Sequence, residues 1–367
     1  MDCAATSGTT KGLIVGLAPA ATDTGDRPIP KDAQGNYTFA FWVSPNIRLV
    51  PVGEVTAWQD PAHWDGKDLT VEQVGTDTEY KLVARLRNSG TVTLKRLTMQ
   101  GWVSSLNAAG PGPDFAILAD PDQPFDPQRN PQISFKTDFS MSASEVKPQD
   151  PANPDNPANM AVLVSKETWQ PNAKQLARNG GHVCLILNVY AQATPGEEGS
   201  GTPGDGDAFL GTYIQPYCDR RQGQRNLNII ARPAGTTATR AVMVGVPRTD
   251  RCPLEAEVAL KQLVLQQGAA NLVTLAAKAG LPDHHCPPED TPFDAVTIDD
   301  NGDPGHELGV VLRPGQQRDV VVTVAPYDNE KPGDVYAFDL ITTSESDHSV
   351  YGAARFYVLV TAPSEGR

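Results

Sequence analysis

The stretch Leu312-Arg313-Pro314-Gly315-Gln316-Gln317-Arg318-Asp319-Val320-Val321-Val322-Thr323-Val324 decides the fold class of this chain. A Pro-Gly turn opens directly into a run of β-branched residues, which are stiff at χ1 and pack well on a pleated surface. A second Pro-Gly break, Pro332-Gly333, precedes Val335-Tyr336-Ala337-Phe338-Asp339-Leu340. Arg355-Phe356-Tyr357-Val358-Leu359-Val360 follows. These segments predict three strands of a β-sandwich, and no helical reading accommodates them.

Working outward, 367 residues are long for one sandwich and comfortable for two, because single cores stop growing near ~250–300 residues. Gly and Pro, 32 of each, exceed their usual share and suit short strands joined by turns and long loops. The formal charge of −14, with no Lys/Arg stripe, excludes a nucleic-acid groove. No apolar run approaches the ~18–20 residues a bilayer span requires. Leu13-Ile14-Val15-Gly16-Leu17-Ala18, behind Lys11, is too short and too interrupted for a secretory signal, so residues 1–36 read as an extended arm.

Strand signal begins at Tyr37-Thr38-Phe39-Ala40-Phe41-Trp42-Val43 and resumes at Ile47-Arg48-Leu49-Val50. In Tyr80 to Arg87, the residues Tyr80, Leu82, Ala84 and Leu86 share one face, and Lys81, Arg85 and Arg87 the other. Asn88-Ser89-Gly90-Thr91 is a turn, so Leu94 to Ser104 is expected to return as the hairpin partner. Two Asp-Pro-rich loops, 107–132 and 147–159, exclude regular structure by proline density; residues 132–141 alternate between them. His182 to Ala191, Phe209 to Ile214 and Asn226 to Ala231 complete a first module spanning 37–233. A second module spans 238–367. Within it, Leu254 to Leu281 carries helical spacing, although Ala256 to Leu265 fits a strand equally well.

Two blocks resemble the immunoglobulin-like sandwich domains of bacterial surface and secreted proteins, in particular the cell-adhesion-related bacterial domain. One is Ser44-Pro45-Asn46-Ile47 with the strand Tyr80 to Arg87 and its Asn88-Ser89-Gly90-Thr91 turn. The other is Leu312-Arg313-Pro314-Gly315 before its Val-rich strand. The resemblance covers about a third of the chain and implies an all-β protein of two immunoglobulin-like antiparallel sandwiches. It also implies an extracellular or cell-surface setting. Fold alone does not license a function.

Three constellations carry candidate chemistry. Trp58, His63, Trp64 and Asp65 fall in one loop, where exposed rings beside carboxylates would form a sugar-binding platform; buried, the same rings would cover the end of the core. Asp299, Asp300, Asn301 and Asp303 have the oxygen density of a calcium loop without the distal Glu of an EF-hand, which makes calcium the one candidate cofactor. His284-His285-Cys286 with Cys252 has zinc-ligand residue types but not their paired spacing, so a solvated loop is the simpler account. Of the five cysteines, Cys3, Cys184, Cys218, Cys252 and Cys286, the pair Cys252 and Cys286 is the candidate for a bridge. His182 and Cys184 alternate onto one strand face, which suits packing better than a catalytic dyad.

No Gly-x-Ser-x-Gly elbow, His-Glu-x-x-His helix or phosphate-cradling loop is present, so no enzyme is expected. The expected function is that of a structural or interaction protein of a bacterial surface layer, filament or particle. It would associate with protein partners or itself through sandwich edges, loops and the arm. The alternative is a carbohydrate-binding adhesin or module that takes glycans on its loop tryptophans.

Overall fold

In the computed structural model, the alternation of the opening stretch is literal. Val320, Val322 and Val324 are fully buried while Val321 between them is 38% exposed. The structure describes residues 13–14, 29–31, 33, 37–64, 74–88, 94–95, 97–105, 108, 134–136, 145–147, 152–153, 156–176, 182–191, 216, 219–246, 252–265, 285–287, 290–300 and 302–363. The chain is all-β in character and divides between Arg225 and Asn226 into two compact units. The sequence placed that division at 233–238.

Among the described residues, the first unit holds ten strands. They are β1 (Leu13–Ile14), β2 (Ile47–Pro51), β3 (Tyr80–Asn88), β4 (Leu94–Lys95) and β5 (Leu97–Ser105). β6 (Ser134–Lys136), β7 (Glu145–Val146), β8 (Met160–Val164), β9 (Val183–Ala191) and β10 (Gln222–Arg225) follow. One sheet sets β1, β2 and β8 around β3, and a second has the order β10-β9-β5-β6. Ile47, Leu49, Leu82, Ala84, Leu86 and Leu163 of the first meet Leu97, Met99, Val103, Leu185 and Leu187 of the second in one core.

β3 and β5 therefore face each other across the sandwich and do not pair as a hairpin. The connection carries the chain from one sheet to the other, because Leu82, Ala84 and Leu86 need an apolar layer opposite them. Residues 37–43 form turns and single bridges where a strand was expected. The neighbouring rings of Phe41 and Trp42 are both buried, at 1% and 5% exposure, which a half-exposed strand cannot achieve. Short helices α1 (Val55–Trp58) and α2 (Ala173–Leu176) lie in the connections.

The second unit begins with β11 (Leu227–Pro233), β12 (Ala238–Gly245) and β13 (Leu254–Leu263). A short helix α3 (Asp290–Asp294) precedes β14 (Val296–Asp299), β15 (Glu307–Leu312), β16 (Gln317–Val324), β17 (Val335–Ser344) and β18 (Val350–Thr361). A five-stranded sheet, β11-β18-β17-β13-β15, accompanies a three-stranded sheet, β12-β16-β14. Leu254 to Leu263 is a strand: Leu254, Ala256, Val258 and Leu260 are buried and Glu255, Glu257 and Lys261 exposed. Period two wins there over helical spacing; residues 266–281 lie outside the described residues. β11 runs parallel to β18, against the expectation of antiparallel pairing throughout. These are the first and last strands of the unit, so a long connection between them allows a parallel pair.

Candidate functional site

The outer face of the β2-β3-β8 layer carries an apolar cluster, with Val50, Val83, Val162 and Val164, and Trp58 and Trp64 complete it. Trp64 is 1% exposed and its indole N–H donates to the Trp58 carbonyl at 2.9 Å. The two rings meet edge to face at 5.0 Å, and His63 meets Trp58 the same way at 4.9 Å. The Arg48 guanidinium lies over both tryptophans, 5.7 and 5.8 Å from the ring centroids, and Arg85 lies 5.6 Å from Trp64. Arg85 is oriented by the Asn46 side chain at 2.8 Å and the Pro61 carbonyl at 3.1 Å. A sugar platform needs a ring face open to solvent. These faces meet valines and guanidiniums, which fits the second of the two readings of the loop, a cover over the apolar residues beneath it. Trp169 is likewise buried, in the core between the sheets. Asp65 lies outside the described residues.

Two of the calcium candidates have other partners. Asp299 turns a carboxylate oxygen to the backbone N–H groups of Gly302 and Asp303, as an aspartate does in a tight turn. Asp300 accepts from Arg318 at 2.6 Å. Asp303 is exposed and Asn301 lies outside the described residues. Two of the carboxylates thus already serve a turn and an ion pair. Among the described residues, no group of three or more His, Cys, Asp and Glu side chains is placed to hold a metal.

Cys252 and Cys286 are both free thiols, and the expected bridge between them is not formed. Cys286 lines a cleft of about 90 Å³ with Leu263, Val264, Val335 and Tyr336. That is well below the ~300–1,000 Å³ of ordinary small-molecule sites. Burial pushes the Cys286 thiol up, away from the thiolate a nucleophile requires. Beside it, His285 pairs with the buried carboxylate of Asp334, which also accepts from the Tyr327 hydroxyl and the Lys331 N–H. Cys184 packs with Trp102 and Ile186, and the Gln224 amide donates to its sulfur at 3.6 Å.

A feature absent from the sequence reading is the edge of the five-stranded sheet. β15 is its last strand; among the described residues no strand lies on its far side. The Leu260 N–H donates to the His306 carbonyl at 2.9 Å, whereas the Glu255 carbonyl accepts from Glu345 on the opposite side of β13. Even-numbered β13 residues therefore turn their backbone groups toward β15, and their register partners Leu308, Val310 and Leu312 turn toward β13. By the alternation of an antiparallel ladder, Glu307, Gly309 and Val311 direct N–H and C=O outward. All three residues are exposed, Val311 at 59%. Proteins commonly blunt such an edge with lysine, proline or a bulge. Glu307-Leu308-Gly309-Val310-Val311-Leu312 contains none of these, and its residue types alone carry no sign that the strand ends a sheet.

Among the described residues, no helix is long and apolar enough to cross a membrane. No family model matches the chain, the cell-adhesion-related bacterial domain included, and no curated protein matches it. Solved structures similar to it include a family 123 glycoside hydrolase from Clostridium perfringens, at 9% identity and TM-score 0.24 over 38% of this chain and 24% of that one. Bacteroides EndoBT-3987, solved with a Man5GlcNAc product, is similar at 16% identity and TM-score 0.22, over 36% of this chain and 28% of that one. The chain thus spans about a quarter of the length of either protein. The CupB6 tip adhesin of Pseudomonas aeruginosa is similar at 12% identity and TM-score 0.20, over 78% of this chain and 91% of that one. Likenesses at this level carry no functional argument.

Proposed function

We propose that this protein is a non-catalytic interaction protein that joins partners by strand addition at the edge of β15. The observation that carries this reading is the outward backbone of Glu307, Gly309 and Val311 on a strand without proline or lysine. Strand addition draws affinity from main-chain hydrogen bonds and selectivity from alternate side chains. It needs no pocket. The buried tryptophans weigh against the glycan-platform alternative.

Amide hydrogen exchange in dilute protein tests the reading. The Gly309 and Val311 amides should exchange fast while those of Leu308 and Val310, bonded to β13, are protected. Equal protection at all four would mean that the edge is already closed, and the reading would fail.

A further inference from the structure

We infer that the strand completing the β15 edge is β15 of a second copy of this chain, paired antiparallel about a two-fold axis at Val310. This rests on the edge being open, as proposed above, and adds an occupant and a register. A two-fold antiparallel pair must match outward-facing residues with outward-facing residues, here the odd-numbered positions. Centring the pair on Val310 sets Gly309 opposite Val311, Val311 opposite Gly309, and Glu307 opposite Arg313.

Both consequences are favourable. Glu307 and Arg313 are both exposed, and their even spacing puts both side chains on one face if the extended backbone continues to Arg313, so the two-fold creates two opposite-charge cross-strand pairs. Val311 lies opposite a residue with no side chain, and a Cβ built on Gly309 meets nothing within 4 Å. Centring one residue away in either direction sets Gly309 or Val311 opposite itself and separates Glu307 from Arg313. The ladder has a natural end: the Arg313 N–H donates to Gln316 Oε1 at 2.9 Å and its carbonyl accepts from the Gln316 N–H at 2.8 Å. Two copies joined this way share one continuous sheet of ten strands, twice the five of each. A six-residue edge is short, so the contact belongs with small, reversible interfaces and should dissociate on dilution.

Sedimentation equilibrium over a wide concentration range, run with hydrogen exchange, tests this. The intact chain should pass from monomer to dimer as concentration rises, with Gly309 and Val311 amides gaining protection in step. Glu307→Arg or Arg313→Glu alone makes two like-charge pairs and should weaken the dimer about tenfold or more. The double reversal should restore it. Gly309→Pro removes an outward N–H without touching the β13 ladder and should abolish dimerisation in a folded monomer.

A chain that stays monomeric while the two amides exchange fast would overturn the self-pairing and leave the open edge standing. Amides protected even at high dilution in a monomer would overturn both. A dimer indifferent to Gly309→Pro, or one that the double charge reversal fails to restore, would overturn the register.

Discussion

Arg355 meets the carboxylate of Asp339 through two parallel hydrogen bonds, Nε to Oδ1 and Nη2 to Oδ2, each 2.8 Å long. The residues are direct register partners on β18 and β17, so the pair spans the ladder at the middle of the five-stranded sheet. Burial opposes the charge on Arg355, but the adjacent Asp339 carboxylate, with Tyr357 adding to it, outweighs burial and raises the guanidinium further above its usual range.

Asp339→Ala leaves that guanidinium without its partner in a largely buried position. Breaking one side of such a pair costs about 3–5 kcal/mol, whereas replacing both sides with apolar residues is often neutral. Urea unfolding should show a loss near that size for Asp339→Ala and a much smaller one for Asp339→Leu with Arg355→Met. Equal losses in the two proteins would contradict the assignment.

Gly101 on β5 lies under Leu82 of the opposite sheet. A Cβ at Gly101 would overlap Leu82 Cδ2 and sit 3.1 Å from the Ile186 carbonyl oxygen and 3.3 Å from Leu187 Cδ1. Gly101→Ala should therefore destabilise by about 1–3 kcal/mol through overpacking. Part of that loss should vanish when Leu82 is already alanine, since residues in contact couple. Thermal unfolding of the four proteins in the cycle reads the coupling; strict additivity would place the clash elsewhere.

Strands were legible in two ways: β17 and β18, buried on both faces, as short apolar runs beside Pro-Gly breaks or turns, and β16, solvated on one face, as an alternation. β16 announces itself through Val320, Val322 and Val324, because the intervening positions are outward and tolerate Val321 and Thr323. β13 hid because Leu260, Leu263 and Val264 also satisfy a helical period, and only the sheet it joins decides. The partner of β3 was illegible for a different reason: pairing and facing across a core demand the same alternation, so Leu97 and Met99 cannot reveal which applies. The burial of Trp58 and Trp64 depends on valines from three strands distant in sequence, Val50, Val83 and Val162. That β15 is an edge depends on its place in the sheet order, which no residue in it encodes.

Trp64 tests the reading of that loop as a cover. Its ring fills the valine cluster, its N–H serves the Trp58 carbonyl, and Arg48 and Arg85 lie near its faces. Trp64→Ala should cost about 3–5 kcal/mol of stability, as for other buried aromatics. Trp64→Phe should cost less, losing chiefly the hydrogen bond. A Trp64→Ala protein with an unaltered unfolding midpoint would show that the ring is not part of the core.

Tyr327 and Tyr336 set an upper pH limit on stability. Their rings lie 6.0 Å apart edge to face. Burial pushes Tyr336 up to about 12, with nearby Arg232 restraining the rise. Burial raises Tyr327 as well, and the Asp334 carboxylate that its hydroxyl bonds raises it further. An unfolded tyrosine releases its proton near pH ~10, so above that the folded state holds protons the unfolded state has lost. The contribution is complete below about pH 10 and disappears as pH climbs through the folded value, near 12 for Tyr336. The urea midpoint should accordingly fall steeply across that window. Tyr327→Phe with Tyr336→Phe should flatten the fall, and phenolate absorbance should show two late-titrating groups lost from the variant. An identical slope in both proteins would assign the alkaline transition to other groups.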